Sequence, residues 1–218
     1  MKRIIVVAVA LAFVLLSAGA ALAGIKDSKH DMRTHLNVTA NSGYDEVCVY
    51  CHTPHSANQS AGQLWNHSNT AVVSYAVYTS STMNATPSVL PGAGSLVCLS
   101  CHDGTVAVDS MVNSPNYPGG AVTSKNVALD GSKLIVSQGG KIGTDLTNDH
   151  PIGFAYPASG TQEAGLNDIS TLSTISVRLV GGTQVECSSC HDAHNTVNMP
   201  FLRSSNAGSN LCLVCHNK

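Results

Sequence analysis

Four strings of one frame consume every cysteine in this sequence. They are Cys48-Val49-Tyr50-Cys51-His52, Cys98-Leu99-Ser100-Cys101-His102, Cys187-Ser188-Ser189-Cys190-His191 and Cys212-Leu213-Val214-Cys215-His216. C-x-x-C-H is the attachment frame of a c-type haem. The two thiols add across the vinyl groups of one porphyrin, and the next residue turns its imidazole to the iron. A single C-x-x-C pair fits a zinc ribbon, a redox dithiol or a structural disulfide as well. Four pairs out of four followed by His favour haem. The reading is therefore four covalently bound haems c. Cys48, Cys51, Cys98, Cys101, Cys187, Cys190, Cys212 and Cys215 carry them, and His52, His102, His191 and His216 are the proximal iron ligands.

The amino terminus points to export. Lys2-Arg3, an apolar run from Ile4 to Leu16 and the small-x-small site Ala21-Leu22-Ala23 have the pattern of a cleavable signal peptide over residues 1–23. No later stretch is apolar enough to cross a bilayer, so no membrane span is expected after cleavage. An oxidising compartment also disfavours a free thiolate zinc site. With 11 Lys+Arg against 13 Asp+Glu, the chain lacks the basic excess of a charge-driven nucleic-acid or membrane binder.

Composition leaves little for an ordinary core. Gly, Ser, Thr and Asn make up 75 of the 195 residues after Ala23, and the whole chain has only 3 Phe, 6 Tyr and 1 Trp. So few large apolar side chains offset the ordering entropy poorly. The expected fold is a mostly irregular, coil-like multihaem c-type cytochrome with short helices, a few small β-hairpins and a haem-packed core. Short helical turns are expected around Cys48–His55 and Cys187–His194. Hairpins are expected at Asp130-Gly131, within Asn126–Ser137, and at Gly181-Gly182, within Ser176–Val185.

Six further histidines decide between carrier and catalyst: His30, His35, His55, His67, His150 and His194. An iron with two protein ligands is closed and carries electrons, whereas an open one binds small molecules. His55 and His194 each lie three residues beyond a proximal His. Three residues reach about 10 Å only when extended, so each is expected to serve a different iron from its neighbour. His150 precedes Pro151, which favours an extended backbone. Asp31 beside His30 is a candidate hydrogen-bond acceptor for a ligating imidazole. His30, His55, His150 and His194 are the distal candidates, with His35 and His67 in reserve. Met32, Met83, Met111 and Met199 are read as packing.

The order upstream His, C-x-x-C-H-x-x-H, C-x-x-C-H occurs twice. It divides the mature chain into two-haem modules at 24–125 and 126–218. The simplest pairing puts His30 on the first haem, His55 on the second, His150 on the third and His194 on the fourth, with exchange of partners left open.

These modules resemble the doubled C-x-x-C-H domain of multihaem c-type cytochromes. The strings Ser28-Lys29-His30-Asp31, Cys51-His52-Thr53-Pro54-His55, Leu64-Trp65-Asn66-His67, Asp149-His150-Pro151 and Leu213-Val214-Cys215-His216-Asn217-Lys218 further resemble the OmcE-type tetrahaem extracellular cytochromes of metal-respiring bacteria. The resemblance implies bis-histidine haems in a continuous stack. It also implies a homopolymeric filament at the cell surface in which a His of one subunit ligates a haem of the next. His30, on a tail freed by cleavage, is the expected donor. The implied function is electron transfer to redox partner proteins or extracellular acceptors, without enzymatic activity. A monomeric periplasmic shuttle, and a reductase of a small nitrogen or sulfur oxyanion with one open haem, are the alternatives.

Overall fold

A computed structural model describes residues 24–37, 46–62, 64–113, 123–124, 135, 140–158, 165–174 and 176–217. The signal sequence and the Asp130-Gly131 turn lie outside these residues. The described backbone is mostly coil. Its helices are α1 (Met32–His35), α2 (Ala93–His102), α3 (Cys187–Cys190) and α4 (Asn210–Leu213), with 3-10 turns at Ile169–Thr171 and Ala207–Ser209. Its strands are two residues long: β1 (Leu36–Asn37), β2 (Ala76–Val77), β3 (Thr123–Ser124), β4 (Asp145–Leu146), β5 (Phe154–Ala155) and β6 (Gln184–Val185). β1 pairs antiparallel with β3, β2 parallel with β4, and β5 antiparallel with β6.

The one substantial helix among the described residues is α2, which carries the second frame. It follows Pro91-Gly92, and the Leu96 amide closes its first turn on the Gly92 carbonyl at 3.0 Å. It stops at Gly104, whose φ of 75° suits the left-handed position beyond a helix end. Ser95, Leu99 and Ser100 are its buried residues. Leu99 joins Tyr75 and Leu146 in one apolar cluster, with Val77, Leu96 and Ile152 packed against it. Tyr50 and Val108 form a second, bordered by Met32, Met111, Cys51 and Cys101. Two of the four methionines thus pack as expected, while Met199 is exposed.

The Gly181-Gly182 turn is present, with both glycines at positive φ and Val180 bridged to Gln184. Its outgoing strand β6 then pairs with β5 rather than extending its own hairpin.

Buried polar groups do much of the tethering. Asn66 is fully buried; its Nδ2 donates to the carbonyls of Val49 (2.6 Å) and Asn113 (3.1 Å), and its Oδ1 accepts from the Asn113 amide (3.0 Å). It thereby ties the first frame to Asn113. Asn66→Ala leaves all three of these partly buried backbone groups without that partner. It is expected to cost on the order of 2–4 kcal/mol, read as a lowered denaturant midpoint with an unchanged slope.

Candidate haem-binding site

All four frames make the same local turn. The His amide reaches back to the first cysteine's carbonyl at 2.8 Å in the first frame, 3.0 Å in the third and 2.9 Å in the fourth, and the second frame lies inside α2. One helical turn puts both thiols and the imidazole on adjoining faces, as a tethered macrocycle requires.

Three frames share a further latch. In each, the N–H after the His and the carbonyl before it pair with a returning segment. Thr53 donates to Leu64 and Cys51 accepts from Asn66, at 2.9 and 2.8 Å. Asp192 donates to Phe201 and Cys190 accepts from Arg203, at 2.8 and 2.9 Å. Asn217 donates to Gly165 and Cys215 accepts from Asn167, at 3.1 and 2.8 Å. The central residues Trp65, Leu202 and Leu166 bridge His52, His191 and His216. The residue opening each latch has positive φ: Leu64 at 57°, Phe201 at 58° and Gly165 at 87°. His102 has no such latch; its carbonyl accepts from Ile142 (2.7 Å) and Gly143 (3.2 Å). Sequence reading missed this device. Its only trace is the recurrence of an apolar residue followed by a polar one, in Trp65-Asn66, Leu166-Asn167 and Leu202-Arg203.

The frames follow one another in space. Burial pushes the Cys101 thiol up to about 12, with the Cys51 sulfur as the next cause. Burial also pushes Cys190 up to about 11, with Cys215 and Cys212 contributing. Cys98 donates to Cys187, which raises the first thiol and lowers the second. Sulfurs of frames one and two, two and three, and three and four are therefore close enough to perturb each other.

The distal candidates come to three of the proximal histidines. Two iron–nitrogen bonds of about 2 Å and the half-width of each ring put the centroids of a bis-histidine pair roughly 6–6.5 Å apart. His30 lies 6.0 Å from His102, His194 6.1 Å from His52, and His150 6.3 Å from His216. This differs from the simplest pairing expected. His30 faces the second frame rather than the first, His194 the first rather than the fourth, and His150 the fourth rather than the third. The reason is that α3 packs directly on α2, carrying the segment after His191 across to the first frame.

His30 is not on a free tail. Its ring stacks on Phe201 at 4.2 Å, and the Gly24 amide donates to the His194 carbonyl at 3.1 Å. Burial, and then the charge of His102, lower its pKa to about 4 and keep it in the neutral form that ligates metals. Asp31 does not serve its ring. The Asp31 carboxylate accepts from the Asp27 amide (2.9 Å) and from Arg33 Nε (2.8 Å), while His30 Nδ1 is buried without a hydrogen bond.

Ring nitrogens separate ligand candidates from structural histidines. His102 gives Nδ1 to the Gly140 carbonyl, His191 to Pro200 (3.0 Å), and His150 to Pro151 (2.9 Å). His194 Nδ1 lies 3.4 Å from the Asp192 carboxylate. This is the usual support for an imidazole that ligates through Nε2. His67, in contrast, is 1% exposed with Nδ1 on Ser68 O and Nε2 on Ala107 O, so neither nitrogen is available. His35 commits Nε2 to the Lys29 carbonyl at 2.9 Å. Neither reserve candidate faces a proximal ring among the described residues.

That leaves His55 and His191. Both are exposed, and no second imidazole faces either one among the described residues. The backbone at His55 is pinned: Asn113 Nδ2 donates to its carbonyl (3.0 Å) and to Thr53 Oγ1 (2.9 Å).

These residues fit haem better than zinc. Structural zinc gathers four ligands, several of them thiolates. Among the described residues no group of three or more His, Cys, Asp or Glu converges, and burial disfavours the thiolate at Cys51, Cys101 and Cys190. Opposed histidine pairs beside free thiols are the donor set of a covalent, six-coordinate haem.

Residues 181–218, which hold the third and fourth frames, match the doubled CXXCH motif family. Among curated proteins none matches the chain. The motif match supports a multihaem c-type cytochrome, with covalently bound haem c and a role in electron transfer.

Proposed function

We propose that this chain is a tetrahaem electron carrier, exported and assembled head to tail into an extracellular conduit. The observation that carries the reading is the set of three histidine pairs, each joining a C-x-x-C-H frame to a distant segment at bis-histidine separation. Each bound haem c supplies an iron that takes up and releases one electron. The protein's residues do the rest. The cysteines would tether the macrocycles, the paired imidazoles would ligate the irons, and the nearness of successive frames would keep the bound groups close enough for electron transfer. Three irons closed in this way would offer a substrate no position, which favours a carrier over an enzyme.

The third frame needs a ligand from elsewhere. His55 suits that role: its ring is exposed, its backbone is held by Asn113, and no proximal histidine ring faces it among the described residues. We place His55 of one subunit on the His191 iron of the next. Such a contact is heterologous and propagates unless it closes into a ring. His55→Ala is expected to leave haem loading intact and to abolish filaments seen by negative-stain microscopy. Filaments of normal length from that variant would count against the assignment.

The exposed His191 also suits a second reading, a reductase with an open third haem. Carbon monoxide separates the two. A conduit binds it at one haem per chain only when dispersed to monomers, whereas a reductase binds it in the assembled state as well.

A further inference from the structure

We infer that Glu186 is a buried, uncompensated carboxylate that lowers the potentials of the second and third haems. The inference rests on the tetrahaem reading above and goes beyond it by assigning a residue that tunes the middle of the conduit.

Glu186 immediately precedes the third frame and is 3% exposed. Its partners are all donors. The Gly92 amide donates to Oε1 at 3.0 Å and the Ser95 hydroxyl to Oε2. The Ser189 amide also donates to the side chain, completing a reciprocal cap in which Ser189 Oγ accepts from the Glu186 amide at 2.9 Å. The Ser95 oxygen in turn accepts from the Cys187 amide at 2.9 Å. A carboxyl group that only accepts is in its ionised form. The donors sit at the starts of α2 and α3, where unpaired amides favour negative charge. One carboxylate thus joins the two helices that bear the second and third frames.

No cation neutralises it among the described residues. Arg203, the guanidinium beside the third frame, is turned instead to the Ser188 carbonyl (2.8 Å) and the Asp192 carboxylate (3.5 Å). Water is kept away by close backbone approach. A Cβ at Gly92 would lie 2.6 Å from Glu186 Oε1, and one at Gly94 2.7 Å from Ser188 Oγ, so a larger residue at either position would displace a side chain from this contact. A charge shielded from water acts strongly on its surroundings. A fixed anion favours ferric over ferrous iron, and both adjoining frames feel it.

The test is potentiometric titration of the full-length, haem-loaded protein. In Glu186→Gln, which keeps the shape and removes the charge, two of the four midpoints are expected to rise while two stay in place. In Glu186→Asp, which keeps the charge, all four are expected to stay near wild type. Four unmoved midpoints in the Gln variant would overturn the inference, as would Asp and Gln variants that shift together. Should the Gln variant fail to load, Ser95→Ala carries the test. Removing the hydroxyl from Oε2 is expected to lower the same two midpoints, and an unchanged or raised pair overturns the inference. Wild-type protein without four covalent haems would instead sink the tetrahaem reading itself.

Discussion

Serine at both Cys98 and Cys101 is expected to abolish accumulation of folded protein, whereas the same change at Cys212 and Cys215 leaves a stable chain lacking one haem. The asymmetry follows from where the frames sit. The second frame lies in α2, whose Leu99 anchors the Tyr75–Leu146 cluster and whose Ser95 binds Glu186 across to α3. His30, stacked on Phe201, closes the same centre from the amino-terminal side. Loss of the tether there removes the group around which three distant segments meet. With stabilities of only about 5–15 kcal/mol in ordinary domains, a chain with so small a side-chain core has little margin. The fourth frame sits on α4, where Cys212 and Leu213 are exposed and Leu211 is the one buried residue. Haem-stained gels and circular dichroism of the two double variants check the contrast. Equal yields of folded protein from both would show that the second frame has no special place.

In the assembled protein, His194→Ala is expected to convert one haem of four from low-spin, six-coordinate iron to an open site that binds carbon monoxide on reduction. The change belongs to the first frame, because the His194 ring lies 6.1 Å from His52 and nearly parallel to it. Asp192, at 3.4 Å from Nδ1, orients the ring, so Asp192→Asn is expected to weaken the ligand without opening the site fully. His35→Ala and His67→Ala are the controls and leave all four irons of the assembled protein closed, since neither ring faces a proximal histidine among the described residues. If His67→Ala opened an iron and His194→Ala did not, the pairing would be wrong. Resonance Raman spin-state bands, together with carbon monoxide titration, read these outcomes directly.

The sequence spoke clearly about chemistry and poorly about which residues meet. C-x-x-C-H is legible because covalent attachment fixes its spacing within one helical turn. The distal histidines were legible as a set, because a ligating imidazole needs little local context. Their partners were not. Each pair joins segments from different parts of the chain, and only the packing of α3 on α2 brings His194 to His52. His30 looked free because its flanks carry no apolar pattern. Its burial depends on Phe201, which is distant in sequence. The latches were hidden for the same reason: Trp65 and Leu202 follow their frames, whereas Leu166 precedes its own. Two-residue strands have no periodicity to detect. Glu186 was passed over because a single acidic residue before a frame carries no signal until Gly92 and Ser95 close on it.

Haem is proposed as the material around which this chain is organised. Intact-mass spectrometry of the purified protein under denaturing conditions tests that most directly. The predicted result is one species carrying the added mass of four covalent haems. A bare polypeptide mass, with its eight cysteines paired as disulfides or released from zinc, would contradict it.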